Sequence, residues 1–405
     1  RGPVLIEVPE DVWTEKALQD PGSLVLDVDP APPVKETDLM RAKSLMTGSG
    51  FPLILAGGGV AYSGASRLLI ALAERFGCPV ATTGNGRGTI PEDHPLCLGR
   101  AGFGGGNLVA DRAMEKADAI LCLGCGLSDM TTYEFTLPIS ATEIMVVNID
   151  GTRAPQAPPC HVAPCDVKKF LEALLEREGE TNTDVTGRWA EALSSARAEW
   201  QGMLRASLDR RSDRASGARV ARDISEHLSP EDAVCVGAGT HLLYAMDFIT
   251  CRRPLSFLST VNFGAMGFGM AACMAARLCR PGSNPVAIIG DGDFLMTVQD
   301  LETCVREHIG IKVFVYNDFQ YRVLNLRQKL SFAGRVIGTE HRNPDFAALA
   351  NSFDAAGYRL DGGEDAHDVV AAAMAEEGPV VVDVLIDPED LPPLNLEANL
   401  RMSSR

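Results

Sequence analysis

The sequence predicts an α/β protein in which two doubly wound parallel-sheet domains are joined by a helical linker. Residues 48–171 and 216–390 each alternate short apolar runs with amphipathic segments, a rhythm typical of buried parallel strands and their crossover helices. Residues 172–215 are charged and helix-prone and contain no strand signal. The chain has 405 residues, enough for two or three domains, so we expect each alternating stretch to build its own core.

The elements follow one another in the order expected of such domains. Near the start of the first domain, an apolar run ends in glycines at 57–59, and the amphipathic segment after it stops at Gly77. In the second domain we expect a helix from about residue 294, because residues spaced by three and four form an apolar stripe. The stripe consists of Phe294, Val298, Leu301 and Val305. The predicted strands are FPLILA, CPVATTG, ADAILCLG and EIMVVNID in the first domain and DAVCVG, NPVAIIG, IKVFVYND and PVVVDVLID in the second.

The ends of the chain lie outside these two domains. Residues 1–12 include GPVLIEVPEDV, which we interpret as the terminal strand of a domain that lies upstream. Residues 13–47 are polar and rich in proline and are predicted to be a linker, and residues 391–405 are predicted to be a C-terminal tail. The first residue is Arg1 rather than Met, so we expect a further segment before it.

The charge of the chain excludes some classes of partner. Its 37 Lys and Arg residues against 54 Asp and Glu residues give a net charge of −17, whereas binding to duplex nucleic acid or an anionic membrane requires a basic face. No uninterrupted apolar run is long enough to span a bilayer. We therefore expect neither a nucleic-acid partner nor a membrane partner.

The 11 cysteines are scattered through apolar stretches, which favours buried free thiols and a cytoplasmic location. Cys122 and Cys125 have C-x-x-C spacing, but they end a predicted strand, and no second such pair follows at the spacing of a zinc site. We interpret them, together with the group Cys160, His161 and Cys165, as structural residues rather than metal ligands.

Two polar residues end neighbouring predicted strands of the second domain. Asp291 follows one apolar run and Asn317 follows the next, and a right-handed crossover through the helix between them makes the strands parallel. Their side chains are then expected at the same sheet edge, where open α/β sheets bind ligands. A carboxylate and an amide oxygen suit Mg²⁺ bound to a diphosphate, and Gly290 and Gly292 would let the backbone approach the phosphates. We predict Asp291 and Asn317 as metal ligands and the Phe319 carbonyl as a third, whereas the alternative is a plain strand-to-helix turn with Asp291 as its N-cap.

The stretch GDGDFLMTVQDLETCVREHIGIKVFVYND resembles the metal and diphosphate motif of thiamine-diphosphate-dependent enzymes, in particular the acetolactate synthase-like branch. Other motifs follow in the order of that family, so the resemblance covers nearly the whole chain. GPVLIEVPEDV is similar to the end of its pyrimidine-binding domain, and AGGGVAYSGA and TIPEDHPLCLG are similar to its central domain. VGAGTHLLYA, NFGAMGFGMAA and FAGRVIGTEHRNPDFAALANSF are similar to its diphosphate-binding domain.

The resemblance implies a set of cofactor-binding residues. The Gly264 carbonyl would accept a hydrogen bond from the aminopyrimidine, and the Met266 side chain would bend the cofactor, so these two are the catalytic positions that the resemblance gives to this chain. Asp291 and Asn317 would bind magnesium. The residues expected around the cofactor's diphosphate are Gly239, Thr240, His241, Gly290, Gly292 and Asp293.

The resemblance also implies a missing part. In the family, a glutamate of the pyrimidine-binding domain activates the cofactor, and the sites lie between domains of different subunits. Glu7 and Glu10 do not match that glutamate. We therefore expect the site to be completed by a pyrimidine-binding domain on another chain, or on the rest of a longer one. We also expect an oligomer, a dimer or tetramer of the assembled unit.

Three positions depart from the acetolactate synthase pattern. Gly126 stands where the family's flavin-binding arginine is expected, so we predict that FAD is not bound. Arg322 and Arg327 follow the metal loop, and they either bind the carboxylate, phosphonate or sulfonate of a substrate or are ordinary solvent-facing arginines. The turn at 128–132 is similar to that of a subgroup that hydrolyses C–C bonds in cyclic diketones.

The function that the resemblance implies is that of a lyase or transferase acting on a 2-oxo acid. It would form or cleave a C–C bond next to the carbonyl through a thiazolium carbanion. A 2-oxo acid decarboxylase and a cyclic-diketone hydrolase are alternatives to a carboligase, and a non-catalytic cofactor-binding subunit is the alternative of another class. A dinucleotide-binding protein is disfavoured, because AGGGVAYSG lacks the G-x-G-x-x-G spacing.

Overall fold

The computed structural model describes residues 5–16, 31–102, 106–136, 139–152, 160–177, 184–362 and 366–394. These residues form two six-stranded sheets in which every strand pair is parallel. The first sheet contains β1 (Pro52–Ala56), β2 (Val80–Thr82), β3 (Cys97–Arg100), β4 (Ala119–Leu123), β5 (Glu143–Asn148) and β6 (His161–Pro164). The second contains β7 (Val234–Val236), β8 (Phe257–Ser259), β9 (Val286–Gly290), β10 (Lys312–Asn317), β11 (Ala356–Leu360) and β12 (Val380–Leu385).

Helices cover both faces of each sheet. Those before and within the first domain are α1 (Glu10–Trp13), α2 (Glu36–Gly48), α3 (Gly58–Tyr62), α4 (Ser66–Phe76), α5 (Leu108–Lys116) and α6 (Val167–Leu175). Between the domains lie α7 (Val185–Ala192) and α8 (Ser194–Asp209). The second domain contains α9 (Gly217–His227), α10 (His241–Phe248), α11 (Phe268–Cys279), α12 (Asp291–Phe294), α13 (Asp300–Arg306), α14 (Arg322–Ser331), α15 (Phe346–Ser352) and α16 (Ala366–Ala375). Within the described ranges, none of these helices combines the length and the apolar character needed to cross a bilayer.

The strand orders confirm the predicted fold class. They are β3-β2-β1-β4-β5-β6 in the first sheet and β11-β12-β10-β9-β7-β8 in the second. The first order reverses direction once, at β1/β4, and the second reverses at β7/β9 and again at its edge, where β12 lies between β10 and β11. The reversal points matter for function because ligands of open α/β sheets bind in the crevice where the strand order reverses.

Alternating side chains of the strands fill a separate core on each face of each sheet. In β1, Ile54 contacts the core beneath α2, α4 and α6, whereas Leu53 and Leu55 contact the core beneath α5 and α7. In β9, Ile288 packs towards α9, α10 and α16, and Ile289 packs towards α11, α13 and α15. Burial on both faces explains why these strands appear in the sequence as continuous apolar runs.

The structure differs from the predicted boundaries at the N-terminal side. Among the described residues of the expected terminal strand, 5–9 are irregular and 10–13 form α1, because a strand needs a neighbour for its hydrogen bonds. Part of the expected linker is α2, whose Leu39 and Leu45 are buried in the first core. Three stretches lie outside the described residues: residues 1–4, residues 17–30 of the expected linker, and residues 395–405 of the expected tail.

The helix expected after β9 is also divided. It begins at Asp291 rather than at Phe294, ends as α12 after one turn, and resumes as α13. Hydrogen bonds to the third preceding residue, such as Thr297 N–H to Phe294 O, tighten the chain between them. The apolar stripe nevertheless packs as expected, with Phe294 and Leu301 fully buried and Val298 and Val305 against the same core.

Candidate functional site

The reversal point of the second sheet brings three glycine-rich or polar strand ends together. Residues 237–239 follow β7, residues 290–293 follow β9, and Asn317 ends β10. Because β7, β9 and β10 are adjacent and parallel, these ends lie at one edge of the sheet. The loops at this edge therefore form the crevice in which a ligand is expected.

The side chains of Asp291 and Asn317 converge at this edge. Both are buried, and a single nitrogen, Asn343 Nδ2, donates to Asp291 Oδ2 at 2.7 Å and to Asn317 Oδ1 at 2.8 Å. The Asn317 amide is fixed from its other side, because its Nδ2 donates to Asp383 Oδ1 at 2.9 Å. Asp383 thereby orients the Asn317 oxygen towards Asp291, as a metal pair would need.

The environment of Asp291 is buried but rich in donors. Burial raises the pKa of this carboxyl group, and His341 and hydrogen bonds from neighbouring N–H groups oppose the rise. Its Oδ1 accepts from Gly292 N–H at 2.8 Å, and its Oδ2 accepts from Phe319 N–H at 2.9 Å and from His341 Nε2 at 3.1 Å. These donors favour the ionised form of the carboxyl group, which is the form that a cation would bind.

Phe319 belongs to the same cluster through its backbone. Its φ of 60° is uncommon for a bulky residue, and its carbonyl accepts from His341 N–H at 3.0 Å. The N–H of Phe319 contacts Asp291, and its carbonyl contacts the backbone of His341, whose side chain also contacts Asp291. All three predicted ligands offer oxygen, the ligand atom that Mg²⁺ prefers.

The crevice between β7 and β9 contains buried polar atoms without hydrogen-bond partners. Among the described residues, His241 Nε2 and Asp293 Oδ2 have none, although they lie 3.8 Å apart. Burial lowers the pKa of His241 to about 4 and raises that of Asp293 to about 6. Gly237, Gly239 and Gly290 line this space closely, since a Cβ on Gly237 would lie 1.5 Å from Asp293 Oδ2. These atoms fit a polar ligand group such as a diphosphate, with Thr240 preceding α10 at the same edge.

The loop at 260–267 is tied to the same crevice. The backbone N–H of Gly267 donates to Asp293 Oδ1, and Gly264 and Gly267 have φ values of 71° and 83°. Gly264 is exposed and Met266 is half-buried. Asp293 therefore joins the loop that carries the expected aminopyrimidine-binding positions to the strand end that carries the expected metal ligand.

Gly292 faces a side chain. A Cβ on Gly292 would lie 2.4 Å from Tyr321 Cε1, and the Tyr321 ring lies 4.8 Å from the His341 ring. The absent side chain of Gly292 thus makes room for Tyr321, whereas the sequence led us to expect a phosphate there.

The two arginines after the metal loop differ from each other. Arg322 is buried and donates to Asp318 Oδ2 at 2.9 Å, to Asp387 O at 3.1 Å and to Asp390 O at 2.5 Å. Its guanidinium makes these hydrogen bonds within the fold. The structure therefore favours neither of the two predicted roles of Arg322, substrate binding or a solvent-facing position. Arg327 is exposed on α14.

The residues that sequence reasoning missed come from two regions. Asn343 and His341 lie in the motif FAGRVIGTEHRNPDF but carry no local signal. Asp383 had a signal, because it is a lone acidic residue inside the apolar strand VVVDVL. A buried carboxylate in a central strand requires a partner, which here is Asn317.

Comparison with known families agrees with this geometry. Residues 237–384 match the family model described as thiamine pyrophosphate enzyme, C-terminal TPP binding domain, and residues 39–174 match thiamine pyrophosphate enzyme, central domain. The chain belongs to the thiamine pyrophosphate enzyme family. The matched ranges contain the crevice of the second sheet and the whole first sheet, and most of α2 falls within the central-domain match.

Similar proteins include acetolactate synthases. Acetolactate synthase 1, chloroplastic, of Zea mays is 30% identical over 402 residues, which are 95% of this chain and 62% of that protein. The acetolactate synthase of Mycobacterium bovis is 31% identical over 406 residues, 95% of this chain and 64% of that protein. The probable acetolactate synthase large subunit of Methanocaldococcus jannaschii is 28% identical over 406 residues, 97% and 68% respectively. The chain thus spans somewhat under two thirds of the first two relatives.

Proposed function

We propose that this chain forms the cofactor-binding part of a thiamine-diphosphate-dependent enzyme of the acetolactate synthase type, acting on a 2-oxo acid. The observation that carries the proposal is the convergence of Asp291 Oδ2 and Asn317 Oδ1 on one point at the reversal edge of the second sheet. A plain strand-to-helix turn would not need a second polar strand end, nor Asp383 to orient it.

The residues present fit magnesium and the cofactor. Asp291, Asn317 and the Phe319 carbonyl would hold Mg²⁺. The diphosphate would lie against the crevice residues Gly239, Thr240, His241, Gly290 and Asp293, and the pyrimidine against Gly264 and Met266. When bound, thiamine diphosphate supplies an electron sink for the carbonyl carbon whose adjacent C–C bond is formed or broken.

One side chain that would lie against the diphosphate, His241, is polar but uncharged. His241 is neutral at pH 7, since burial lowers its pKa to about 4, and its Nε2 is free to take part in a hydrogen bond. Gly267 N–H holds Asp293 Oδ1, which fixes the loop at 260–267 relative to α12. Burial of these groups excludes water from the strand ends.

We further propose that a pyrimidine-binding domain, on a partner chain or on the rest of a longer chain, completes the site in an oligomer. The loop at 260–267 and the segments that follow α12 and α14 expose large apolar side chains. Phe263 is 93% exposed and Ile337 is 82% exposed, and Met296 and Phe332 are exposed as well. Exposed apolar side chains of this number mark an interaction surface. The activating glutamate would come from the docked domain.

Calorimetric titration with thiamine diphosphate and Mg²⁺ tests the cofactor proposal. Asp291→Asn should weaken binding by more than about 100-fold, because loss of an outer partner alone costs about 10–100-fold. Glu302→Gln, which removes one negative charge from an exposed position on α13, should bind as the unmodified chain does. Equal affinity of Asp291→Asn and Glu302→Gln would reject the site.

Native mass spectrometry combined with a turnover assay tests the partner proposal. Consumption of a 2-oxo acid such as pyruvate should require a second polypeptide or a longer chain that carries the pyrimidine-binding domain. Turnover by this polypeptide alone would contradict that requirement and leave the cofactor proposal intact.

A further inference from the structure

A segment of the first domain reaches the second sheet beside the proposed cofactor site. Residues 84–93 follow β2 and contact both the connection between α10 and β8 and the loop at 260–267. β8 is an edge strand that pairs, among the described strands, only with β7 and over three residues. A short edge strand has few contacts within its own sheet, so the position of β8 and of the loop that follows it depends on neighbours outside the sheet.

Arg87 anchors this segment in the second domain. Its side chain is buried, and its guanidinium makes two parallel hydrogen bonds with Glu92, at 2.7 and 2.9 Å. The same guanidinium donates to Ile249 O at 2.7 Å and lies 4.2 Å from the centre of the Phe257 ring in β8. One group thus contacts both the end of α10 and the strand that leads to the loop, in a paired and stacked geometry that a lysine cannot reproduce.

Glu92 extends the contact along the connection between α10 and β8. Its backbone N–H donates to Cys251 O at 2.9 Å, and its Oε2 accepts from Cys251 N–H at 2.7 Å. Within the same segment, Gly88 has a φ of 74°, and a Cβ there would lie 2.1 Å from Arg253 O. The backbones of the two domains are therefore in direct contact at this connection.

The segment also contacts the loop at 260–267 itself. Asn85 Nδ2 donates to Asn262 Oδ1 at 2.9 Å. Asn262 precedes Gly264 and Met266, the expected aminopyrimidine positions, in the same loop. The end of the loop is held by the second domain through Gly267 N–H. The loop is thus fixed at its start by the first domain and at its end by the second.

The diphosphate half of the proposed site is held within the second domain. His241 begins α10 and is buried, and a Cβ on Gly290 would lie 3.1 Å from its Cε1. The next residues of α10 pack into the core beneath α9 and α16, where Tyr244 and Ala245 are buried. Loss of the contacts from the first domain should therefore displace the loop at 260–267 more than it displaces His241.

We propose that Arg87 and Asn85 are positioning residues of the first domain that set the distance between the two halves of the cofactor site, the loop at 260–267 and the start of α10. The inference rests on the proposed function, because the loop and α10 are cofactor contacts only in that proposal. Arg87 acts through β8 and the connection before it, and Asn85 acts through Asn262. The first domain thereby contributes to cofactor affinity without touching the cofactor.

A comparison of two ligands, measured by calorimetric titration in the presence of Mg²⁺, tests the positioning. Inorganic pyrophosphate can contact only the metal site and the diphosphate residues, whereas thiamine diphosphate also reaches the loop. Arg87→Lys keeps a cation beside Glu92 but loses the paired hydrogen bonds, and Asn85→Ala removes the contact with Asn262. Each should weaken thiamine diphosphate by about tenfold, the cost of ordering one or two loop side chains, and pyrophosphate by less than about twofold.

Arg252→Ala is the matched control. Arg252 Nε donates to Asp93 Oδ2 at 2.7 Å, so this ion pair also joins the two domains, but both of its side chains are exposed. Its removal should leave both affinities unchanged. If Arg87→Lys or Asn85→Ala weakens the two ligands equally, or leaves thiamine diphosphate unaffected, that residue has only a structural role and its part of the inference is wrong.

Mn²⁺ binding, measured from the free-ion signal in electron paramagnetic resonance, separates this inference from the proposed function. Arg87→Lys and Asn85→Ala should bind Mn²⁺ as the unmodified chain does, and Asp291→Asn should bind it more weakly. No effect of Asp291→Asn would reject the metal site itself. Failure of the unmodified chain to bind either pyrophosphate or thiamine diphosphate would reject the cofactor site and the positioning with it.

Hydrogen exchange without any ligand gives an independent measure of the loop. The Phe263 amide, which donates to Thr260 O at 3.0 Å, should exchange about tenfold faster in Arg87→Lys and Asn85→Ala than in the unmodified chain. The Leu243 amide in α10 is the internal reference and should not change. Equal exchange of the Phe263 amide in the variants and the unmodified chain would overturn the positioning even where the cofactor binds.

Discussion

The two sheets share one architecture, yet their reversal points differ. Both contain six parallel strands, and the strand order reverses at β1/β4 in one sheet and at β7/β9 in the other. At β1/β4, backbone fills the crevice: a Cβ on Gly59 would lie 2.6 Å from Gly124 Cα, and one on Gly57 would lie 2.4 Å from Cys125 Cβ. At β7/β9, the crevice holds carboxylates and an imidazole.

Hydrogen bonding shows the same contrast. In the first sheet, Gly57 N–H donates to Leu123 O at 2.8 Å and Gly59 N–H to Gly124 O at 3.0 Å, so the donors at the start of α3 are used within the domain. In the second, His241 Nε2 and Asp293 Oδ2 have no hydrogen-bond partner among the described residues. Topology thus places a crevice in each domain, and the side chains and free donors at its rim decide whether it can bind a ligand.

The largest expected effect comes from a substitution that disrupts the close backbone packing at β1/β4. Gly124 has a φ of 61°, and its own Cβ would lie 2.6 Å from Gly59 Cα. Gly124→Ala should destabilise by about 2–5 kcal/mol, of which about 1–2 reflect the left-handed conformation and about 1–3 the overpacking. Gly64→Ala is the control, because Gly64 has a φ of 68° but open space around it. Urea midpoints that are equal for the two variants would mean that the first crevice is not tightly packed.

The second prediction concerns acid stability at the polar crevice. The pKa of His241 is lowered from 6.5 to about 4 in the folded chain, so between those values the unfolded chain binds more protons. The stabilising contribution of neutral His241 to the free energy of unfolding is fully present above pH 6.5. It is lost as the pH falls to about 4, which lowers the free energy of unfolding by about 3 kcal/mol at about 1.36 kcal/mol per pH unit. Burial raises the pKa of Asp293 from 3.8 to about 6 and acts in the opposite direction.

A comparison of variants isolates the contribution of His241 to acid stability. His241→Gln should flatten the loss of unfolding free energy between pH 6.5 and pH 4, as measured by urea unfolding at each pH. His94→Gln is the control, because His94 lies far from this crevice in the first domain, where it contacts Glu74 at 3.3 Å. A pH profile of His241→Gln that matches that of the unmodified chain would refute the buried, neutral imidazole.

The third prediction tests the orientation of the metal pair. Asp383→Ala should weaken metal binding by about 10–100-fold, because Asn317 loses the acceptor that fixes its amide. Asp383→Asn keeps an acceptor oxygen and should restore part of the affinity. Arg359→Ala removes a cation 3.8 Å from Asp383 without touching Asn317, so its affinity should stay unchanged. If Asp383→Ala, Asp383→Asn and Arg359→Ala all bind Mn²⁺ as tightly as the unmodified chain does, Asp383 has only a structural role.

Local patterns were sufficient to predict the inner strands and the meeting of Asp291 and Asn317 at one sheet edge. Apolar runs gave β9 and β10, and the handedness of the crossover placed Asp291 and Asn317 at one edge. The edge strands β3, β6, β8 and β11 were missed, because strands of three to five residues carry little periodicity. The early start of α12 was missed for a similar reason: a single turn has no repeat to detect.

Contacts made by loops could not be predicted in the same way. Asn343 reaches Asp291 only because residues 339–341 pair with residues 319–321, and no sequence period encodes that pairing. Arg322 showed the reverse difficulty, since a guanidinium beside a predicted site suggests a substrate, whereas burial against Asp318 makes it part of the fold. Residue type predicted the chemistry, and packing determined which residues were available for it.

The smallest expected effect lies at the first crevice, where the closed packing leads us to expect no flavin. Titration of FAD against the chain should give no saturable quenching of flavin fluorescence, because the N–H groups of Gly57 and Gly59 are already bonded to the chain after β4. Gly126→Arg restores the arginine that flavin-binding relatives are expected to carry and should still give no quenching, since the added cation does not reopen that backbone contact. Saturable quenching by Gly126→Arg alone would show that one side chain controls flavin binding. Quenching by the unmodified chain would show that both crevices bind ligands, so that the difference between the two sheets would be one of ligand rather than of closure.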